Sequence, residues 1–283
     1  MIRDNDQAAG LRVGSPAAAP VVRLRPAFDE RAHVIAVTSG KGGVGKTQIA
    51  ANIAVGLARK GQRVLLMDAD LGLASLDLAL GIAPEHNLLS VVTGERSLDE
   101  ILTLGPCGVY LIPACPGRYD VANLDAGQRG RLWDLVEKVA RDFDVLIIDT
   151  GAGIGSNAVG FASYADDVVL VTTPDPSALR DAYAMAKVLH RRAGLDRVHV
   201  VANQVSSERE GAEIHARMNA IVRRFLLLQL EYLGAVPRDG TVRECVALGE
   251  PFVLRSPSSL AAISVDNVVR RLEVLSSTEA HPC

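Results

Sequence analysis

Aromatic residues, long apolar runs and a signal-like leader are scarce or absent in this sequence of 283 residues. Only 4% of the residues are aromatic, whereas Ala, Val and Leu are abundant, and this composition favours helices packed on a buried parallel sheet. The N-terminus lacks the apolar segment of a signal peptide. No stretch approaches the roughly 18 to 20 apolar residues that a membrane span requires. We therefore expect a cytoplasmic protein.

An excess of positive charge is also missing. The formal net charge is −3, which gives no general electrostatic reason to bind nucleic acid. Adjacent arginines occur at positions 191–192, 223–224 and 270–271, and we interpret them as solvated faces of helices. Nucleic acid is therefore not an expected partner.

Cysteine and histidine are too scattered for a zinc or redox centre. The four cysteines, at positions 107, 115, 245 and 283, form no C-x-x-C pair, and no two histidines have the H-E-x-x-H spacing. Reduced thiols are the ordinary state of cysteines in a cytosolic protein. The chemistry of this chain must therefore come from other residue types.

Short apolar runs alternate with helix-like segments from residue 33 onwards. Runs such as "HVIAVTSG", "RVLLMDAD" and "DVLIIDTGAGIG" end in glycine or acidic residues, and helices are predicted near 126–141, 156–164, 177–193, 211–228 and 239–248. This alternation predicts an α/β fold with a mostly parallel, doubly wound sheet flanked by helices. We place a single domain at 31–276, between an N-terminal tail (1–30) and a polar C-terminal tail (277–283).

The segment "GKGGVGKT", from Gly40 to Thr47, follows a predicted strand and precedes a predicted helix. It matches the P-loop pattern G-x-x-x-x-G-K-[ST], in which backbone N–H groups and a helix N-terminus bind phosphate. Lys46 is expected to reach the β- and γ-phosphates, and the Thr47 hydroxyl is expected to bind Mg²⁺. The nucleotide-binding positions predicted here are Gly40, Gly42, Gly43, Val44, Gly45, Lys46, Thr47 and Gln48.

A second lysine, Lys41, directly follows the first glycine of the P-loop. With it, "KGGVGKT" resembles the deviant Walker A motif of the MinD/ParA family of ATPases. The resemblance implies that Lys41 crosses to the phosphates of the other subunit's ATP. It also implies a homodimer that forms with ATP and separates with ADP.

Two acidic strand ends complete the resemblance. Asp68 and Asp70 follow the second strand in "LLMDADLGLASLD", and Asp149 follows a later strand in "LIIDTGAGIG". By family position, Asp70 orients or deprotonates the attacking water, and Thr47, Asp70 and Asp149 lie around Mg²⁺. Asp68 is either a supporting or a purely structural acid, and we leave this open.

Two further segments complete the expected site. The backbone around Gly153 is expected to order near the γ-phosphate, as a switch does. The family position implies that Asn203 and the loop from Pro237 to Asp239 contact the base. No N-K-x-D motif for guanine is present, so ATP is favoured. Ser75 departs from the family pattern, because relatives usually carry Asn there.

Within the family, "DTGAGIG" and "TTPDPSALRDAYAMAKVL" resemble the FlhG branch of flagellar-number regulators (also called FleN, YlxH or MotR). That branch carries an N-terminal D-Q-A-x-x-L-R motif that activates an FlhF-type GTPase. The chain has "DQAAGLR" at 6–12. The resemblance assigns this role to Asp6, Gln7, Leu11 and Arg12. A flagellar C-ring component or a flagellar transcription regulator is a further candidate partner.

Two questions stay open at the level of sequence. A MinD-like division-site regulator and a ParA-like DNA-partition ATPase are the alternative functions. The C-terminal segment "SLAAISVDNVVRRLEVLSS" carries an apolar stripe made by Leu260, Ile263, Val268, Leu272 and Leu275. This stripe either binds an anionic membrane when the protein is dimeric or packs on the sheet.

Overall fold

A mixed sheet forms the centre of the computed structural model, which describes residues 31–71, 75–115 and 124–279. Its strands are β1 (His33–Ser39), β2 (Val64–Ala69), β3 (Thr103–Leu104), β4 (Tyr110–Ile112), β5 (Val145–Ala152), β6 (Asp167–Thr172), β7 (Arg197–Val205) and β8 (Gln229–Pro237). Within these ranges the sheet has eight strands in the order β3-β4-β2-β5-β1-β6-β7-β8. Every neighbouring pair is parallel except β3 and β4. The predicted mostly parallel sheet is confirmed; the short antiparallel β3 had no signal in the sequence.

Helices cover both faces of this sheet. They are α1 (Lys46–Arg59), α2 (Leu76–Leu80), α3 (Leu88–Val92), α4 (Ala126–Ala140), α5 (Ser156–Ala162), α6 (Pro176–Ala193), α7 (Glu208–Phe225), α8 (Gly240–Leu248), α9 (Phe252–Arg255) and α10 (Leu260–Glu279). Two 3₁₀ turns lie at Asp99–Ile101 and Pro106–Gly108. Successive residues of the central strands belong to opposite cores: Val34 and Ala36 pack with α4 to α7, and Ile35 and Val37 pack with α1 and α10. This alternation is what a doubly covered sheet requires.

Helix α7 lies about three residues earlier than predicted. It begins at Glu208 because the Ser207 side chain accepts a hydrogen bond from the Glu210 N–H and caps the helix. It ends at Phe225, so the following leucines form an extended connection to β8. The helix predicted at 211–228 is therefore present with shifted ends.

Helix α10 contributes to the core along most of its length. A Cβ built on Gly56 of α1 would lie 2.9 Å from Val269, and one built on Gly234 of β8 would lie 3.0 Å from Val268. Val268 and Leu272 are buried, whereas Leu260 and Ile263 are exposed. The apolar stripe expected at the C-terminus is thus divided between core and solvent, with Leu275 partly buried against the core, and a membrane contact by the stripe would depend on Leu260 and Ile263.

Helix α10 extends to Glu279, beyond residue 277, where the sequence placed the start of the C-terminal tail. No helix in the described ranges is long and apolar enough to cross a membrane. The N-terminal tail, with its "DQAAGLR" motif, lies outside the described residues.

Candidate nucleotide site

The carboxyl ends of four neighbouring strands surround the P-loop. The loop follows β1, which lies between β5 and β6, and β2 is the next strand beyond β5. Asp68 of β2 and Asp149 of β5 are partners in the sheet register. Because the carboxyl ends of parallel strands meet at one edge, the predicted acids and lysines converge there.

Glycine is required in the P-loop for two different reasons. Gly43 and Gly45 have φ values of 79° and 87°, a region that side chains rarely adopt. A Cβ on Gly40 would lie 2.1 Å from the main chain of Asp181, so this glycine permits close packing against α6. Gly45 caps α1 without a side-chain hydrogen bond. The first N–H groups of α1 are therefore directed at the space where an anion would bind.

Lys46 and Asp149 form a buried ion pair, with 2.6 Å between Lys46 Nζ and Asp149 Oδ1. Burial raises the pKa of Asp149, and Lys46 and the Thr47 hydroxyl oppose this rise. The second carboxylate oxygen, Oδ2, is buried and has no hydrogen-bond partner among the described residues. A buried carboxylate oxygen in this state is suited to accept a hydrogen bond from a water of a Mg²⁺ shell.

Asp68 holds the loop that leads from β2 to α2. Its Oδ1 accepts the Asp70 N–H at 3.1 Å, and its Oδ2 accepts the N–H groups of Ser75 at 3.0 Å and Leu76 at 3.1 Å. Burial and the neighbouring Asp149 raise the pKa of Asp68 to about 7. Asp68 therefore holds the backbone at Asp70 and at the start of α2, a contact that fits either of the two roles considered for it.

Ser75 contacts the P-loop directly. Its hydroxyl lies 3.4 Å from the Thr47 hydroxyl and donates to it. Asp70 lies beside the end of β5, since a Cβ on Gly151 would be 3.7 Å from Asp70 Oδ1. Gly153, with φ 83°, donates its N–H to the Ser39 carbonyl at 2.8 Å. The segments after β2 and β5 thus meet beside Thr47.

Lys41 lies outside this buried cluster and contacts the start of α6. Its Nζ donates a hydrogen bond to the Ser177 hydroxyl and lies 3.6 Å from Asp175 Oδ1. Asp175 also caps α6 by accepting the N–H groups of Ser177 and Ala178. A hydrogen bond from the Ser177 hydroxyl, followed by the two N–H groups and Lys41, lowers the pKa of Asp175 to about 2.

Sequence reasoning assigned no role to Asp175 or Ser177. The signal was present as "DPS", a helix-start pattern directly after β6. Since β6 neighbours β1 in the sheet, an acid at this position comes close to the P-loop.

The expected base-binding residues line a cavity of about 720 Å³ beside the P-loop. Asn203 Nδ2 donates to the Val44 carbonyl at 2.8 Å, and its Oδ1 accepts the Gln204 N–H at 2.9 Å. Asn203 thereby braces the P-loop, with one amide hydrogen left for another acceptor. Its contact with a base stays a prediction.

The loop after β8 forms the opposite wall of this cavity, where Pro237, Arg238 and Asp239 lie. The Asp239 carboxylate caps α8 through Thr241 and accepts the Ala261 N–H of α10 at 3.2 Å. Asp239 therefore ties two helices together. Arg238, which the sequence did not single out, donates to the Gln204 carbonyl at 3.0 Å and links the two walls.

Comparisons with known proteins agree with this geometry. Residues 35–252 match the family described as the CobQ/CobB/MinD/ParA nucleotide binding domain. The antiactivator FleN of Pseudomonas aeruginosa is 40% identical over 241 residues, which cover 85% of this chain and 86% of FleN. The flagellum site-determining protein YlxH of Helicobacter pylori is 37% identical over 246 residues, with 85% and 82% coverage.

Solved structures show the same architecture. The septum site-determining protein MinD of Pyrococcus horikoshii, complexed with Mg-ADP, superposes with a TM-score of 0.74 at 27% identity and covers 89% of this chain and 100% of that one. The cell division ATPase MinD of Pyrococcus furiosus gives a TM-score of 0.73 at 30% identity, with 86% and 99% coverage. The chain therefore belongs to the MinD/ParA family of P-loop ATPases.

Proposed function

We propose that this protein is an ATP-dependent dimerising switch that regulates flagellar number or placement. The observation that carries the proposal is the separation of two lysines in one P-loop. Lys46 is buried in an ion pair with Asp149. Lys41, in contrast, is partly exposed and contacts Asp175 at the start of α6. A lysine that is not part of the phosphate cradle is available to act on a second nucleotide. The relatives named FleN and YlxH support the flagellar part of the proposal.

ATP and Mg²⁺ are the proposed ligands, and the residues present fit them. Lys46 and the first N–H groups of α1 would bind phosphate oxygens, and Thr47 and Asp149 would hold Mg²⁺, the latter through water. Bound Mg²⁺ would offset phosphate charge. Asp70 would orient or deprotonate the attacking water.

The switch is tested with two variants that fail in opposite ways. Asp70→Ala should bind ATP without activating water, so dimer should accumulate with ATP. Lys41→Ala should keep the phosphate cradle but lose the charge offered to the other subunit, and should stay monomeric. Size-exclusion chromatography with light scattering, with ATP, ADP and no nucleotide, measures both. A wild-type dimer that is independent of ATP would refute the switch.

The second part of the proposal concerns the N-terminal motif. We propose that residues 1–30 suffice to stimulate GTP hydrolysis by an FlhF-type GTPase and that Gln7 is essential, since glutamines position water in GTPases. A synthetic peptide of residues 1–30 should raise phosphate release, and its Gln7→Ala counterpart should not. Full-length Gln7→Ala should bind ATP normally. Equal rates with the two peptides would contradict this part alone.

Location and further partners also belong to the proposal. We place the protein in the cytoplasm, with peripheral contact to the inner face of the cytoplasmic membrane when ATP is bound. A flagellar C-ring component or a transcription regulator would bind to the dimer. Leu260→Ser/Ile263→Ser removes the exposed part of the apolar stripe without removing Val268 or Leu272 from the core. Unchanged ATP-dependent vesicle binding by this variant would exclude the stripe of α10 as the membrane contact.

A further inference from the structure

Helix α7 ends in an exposed apolar and basic surface, which we call the α7 tip and define as Ile221, Arg223, Arg224, Phe225 and Leu227. Phe225 is 64% exposed, Leu227 is 91% exposed and Ile221 is 49% exposed. The Arg224 guanidinium lies 5.4 Å from the centre of the Phe225 ring. Large apolar side chains at such exposure in one short segment are the kind of surface that marks a binding site.

The exposed apolar side chains of the α7 tip do not belong to the hydrophobic core. Ile221, Arg224 and Phe225 are three and four residues apart, so they share one face of α7. Val222, in the same last turn, is buried, and so is Leu226, directly after the helix. After the helix, Leu226 and Leu228 are buried, whereas Leu227 between them is exposed. Leu227 and Phe225 are therefore the most exposed apolar side chains of the α7 tip.

Further positive charge lies beside the tip. The connection after α6 and the connection after α7 are neighbours, because the Gln229 N–H donates to the Asp196 carbonyl at 2.8 Å. Arg191 and Arg192, in the last turn of α6, are exposed. Among the described residues, neither these two arginines nor Arg223 and Arg224 pair with an acid.

This surface lies at the end of the sheet opposite the nucleotide site. Helix α7 delivers the chain to the amino end of β8, whereas the P-loop lies at the carboxyl ends of the strands. Helix α10 runs antiparallel to β8: its start contacts Asp239, and Arg271 donates to the Leu233 carbonyl at 2.8 Å. From Arg271, eight further helical residues reach the end of α10, a distance of about 12 Å. From Leu233, four strand residues lead back to the start of β8, a distance of about 13 Å. The end of α10 is thus level with the α7 tip.

We propose that the α7 tip is a docking surface for an anionic lipid bilayer. Phe225 and Leu227 enter the interface between headgroups and acyl chains, and the arginines contact acidic headgroups. Strongly exposed apolar side chains beside arginines that pair with no described acid fit a fluid, negatively charged surface, whereas a folded protein partner would need a groove that matches them. The proposal is independent of the ATPase cycle, because no residue of the tip contacts the nucleotide site.

The first test is co-sedimentation of the full chain with vesicles of phosphatidylcholine alone and with added phosphatidylglycerol, with and without ATP and Mg²⁺. Phe225→Ser/Leu227→Ser should reduce binding to the anionic vesicles at least tenfold. Leu104→Ser is the control, since Leu104 is 60% exposed on β3, at the opposite edge of the sheet. Equal binding by the double variant and the wild type would overturn the proposal.

The second test separates charge from apolar contact. Arg223→Glu/Arg224→Glu should lower binding to anionic vesicles at least tenfold. Arg131→Glu/Arg209→Glu changes the net charge equally on other exposed surfaces and should bind like the wild type. If both double variants lose binding equally, overall charge and not the α7 tip is responsible, and the proposal fails. ATP hydrolysis should be unchanged in all variants, which keeps this test separate from the proposed switch.

The third test reports insertion directly. Trp133 is the single tryptophan and is buried in a stack with Tyr164, with ring centroids 4.3 Å apart. In Phe225→Trp the new indole should shift its emission to shorter wavelength with anionic vesicles and be quenched by brominated lipids, unlike the parent protein. Binding without quenching would mean that the tip does not enter the bilayer. If the α7 tip binds an acidic protein and the full chain binds no vesicles, the tip is a protein-binding surface and the bilayer proposal fails.

Discussion

Protonation of Asp68 should make the stability of the nucleotide-free protein depend on pH in an unusual direction. Its pKa is raised from 3.8 to about 7, first because it is buried and second because Asp149 is near. The folded state therefore binds this proton more tightly than the unfolded state does. The resulting stabilisation is complete below pH 4 and is lost as the pH rises through 7.

The size of the effect follows from the shift. A rise of about three pKa units corresponds to about 4 kcal/mol, which is an upper value because Asp68 and Asp149 titrate together. Three backbone N–H groups donate to the Asp68 carboxylate and limit the rise. Paired acids elsewhere, such as Asp144, have lowered pKa values and act at lower pH.

Urea unfolding at pH values from 4 to 8 measures this for the wild type and for Asp68→Asn. The difference between their unfolding free energies, wild type minus variant, should fall by several kcal/mol across this range. Asp134→Asn, at an exposed position on α4, is the control and should give a difference that is constant with pH. A constant difference for Asp68→Asn as well would refute the reasoning.

Three further outcomes are expected. Lys46→Met should lower the unfolding free energy by about 3 to 5 kcal/mol, because it leaves a buried carboxylate unpaired; a loss below 1 kcal/mol by urea unfolding would contradict the ion pair. Asp175→Asn keeps the α6 cap but removes the negative charge beside Lys41, so the ATP-dependent dimer should tighten about two- to fivefold. Analytical ultracentrifugation measures this, and weaker dimerisation would show that Asp175 assists dimer formation. Gly40→Ala should unfold more easily than Gly42→Ala, since only the former meets main chain; equal urea midpoints would refute this.

Local motifs explain which parts of the fold and the site were predictable. The P-loop, its flanking strand and helix, and the acidic strand ends are each contained in one short segment, and strand ends of a parallel sheet necessarily share an edge. The sequence therefore predicted that Lys46 and Asp149 would belong to one site, and the structure adds a direct contact between them, although they are 103 positions apart. Strand β3 was missed because two residues carry no periodicity.

Contacts that depend on loop conformation were not predictable. Asp68 accepts the N–H groups of Asp70, Ser75 and Leu76, and nothing in "DADLGLASLD" indicates that these three groups meet one carboxylate. Lys41 reaches Asp175 across 134 positions because β1 and β6 are neighbours, which the strand order decides. Asn203 lies where an amide that contacts the base was expected. One of its two amide hydrogens, however, is donated to the Val44 carbonyl of the P-loop.

The different environments of the two lysines suit different tasks. Lys46 is held by a buried carboxylate, and moving it away would leave that charge uncompensated, so it is fixed at one position. Lys41 is held by a half-exposed acid and a hydroxyl, with side-chain exposures of 41% for Lys41 and 53% for Asp175, and such pairs exchange partners at little cost. In the proposed switch, Lys46 stays with the phosphates of its own subunit, and Lys41 transfers to the nucleotide of a second subunit. Under the same proposal, departure of that nucleotide after hydrolysis returns Lys41 to α6.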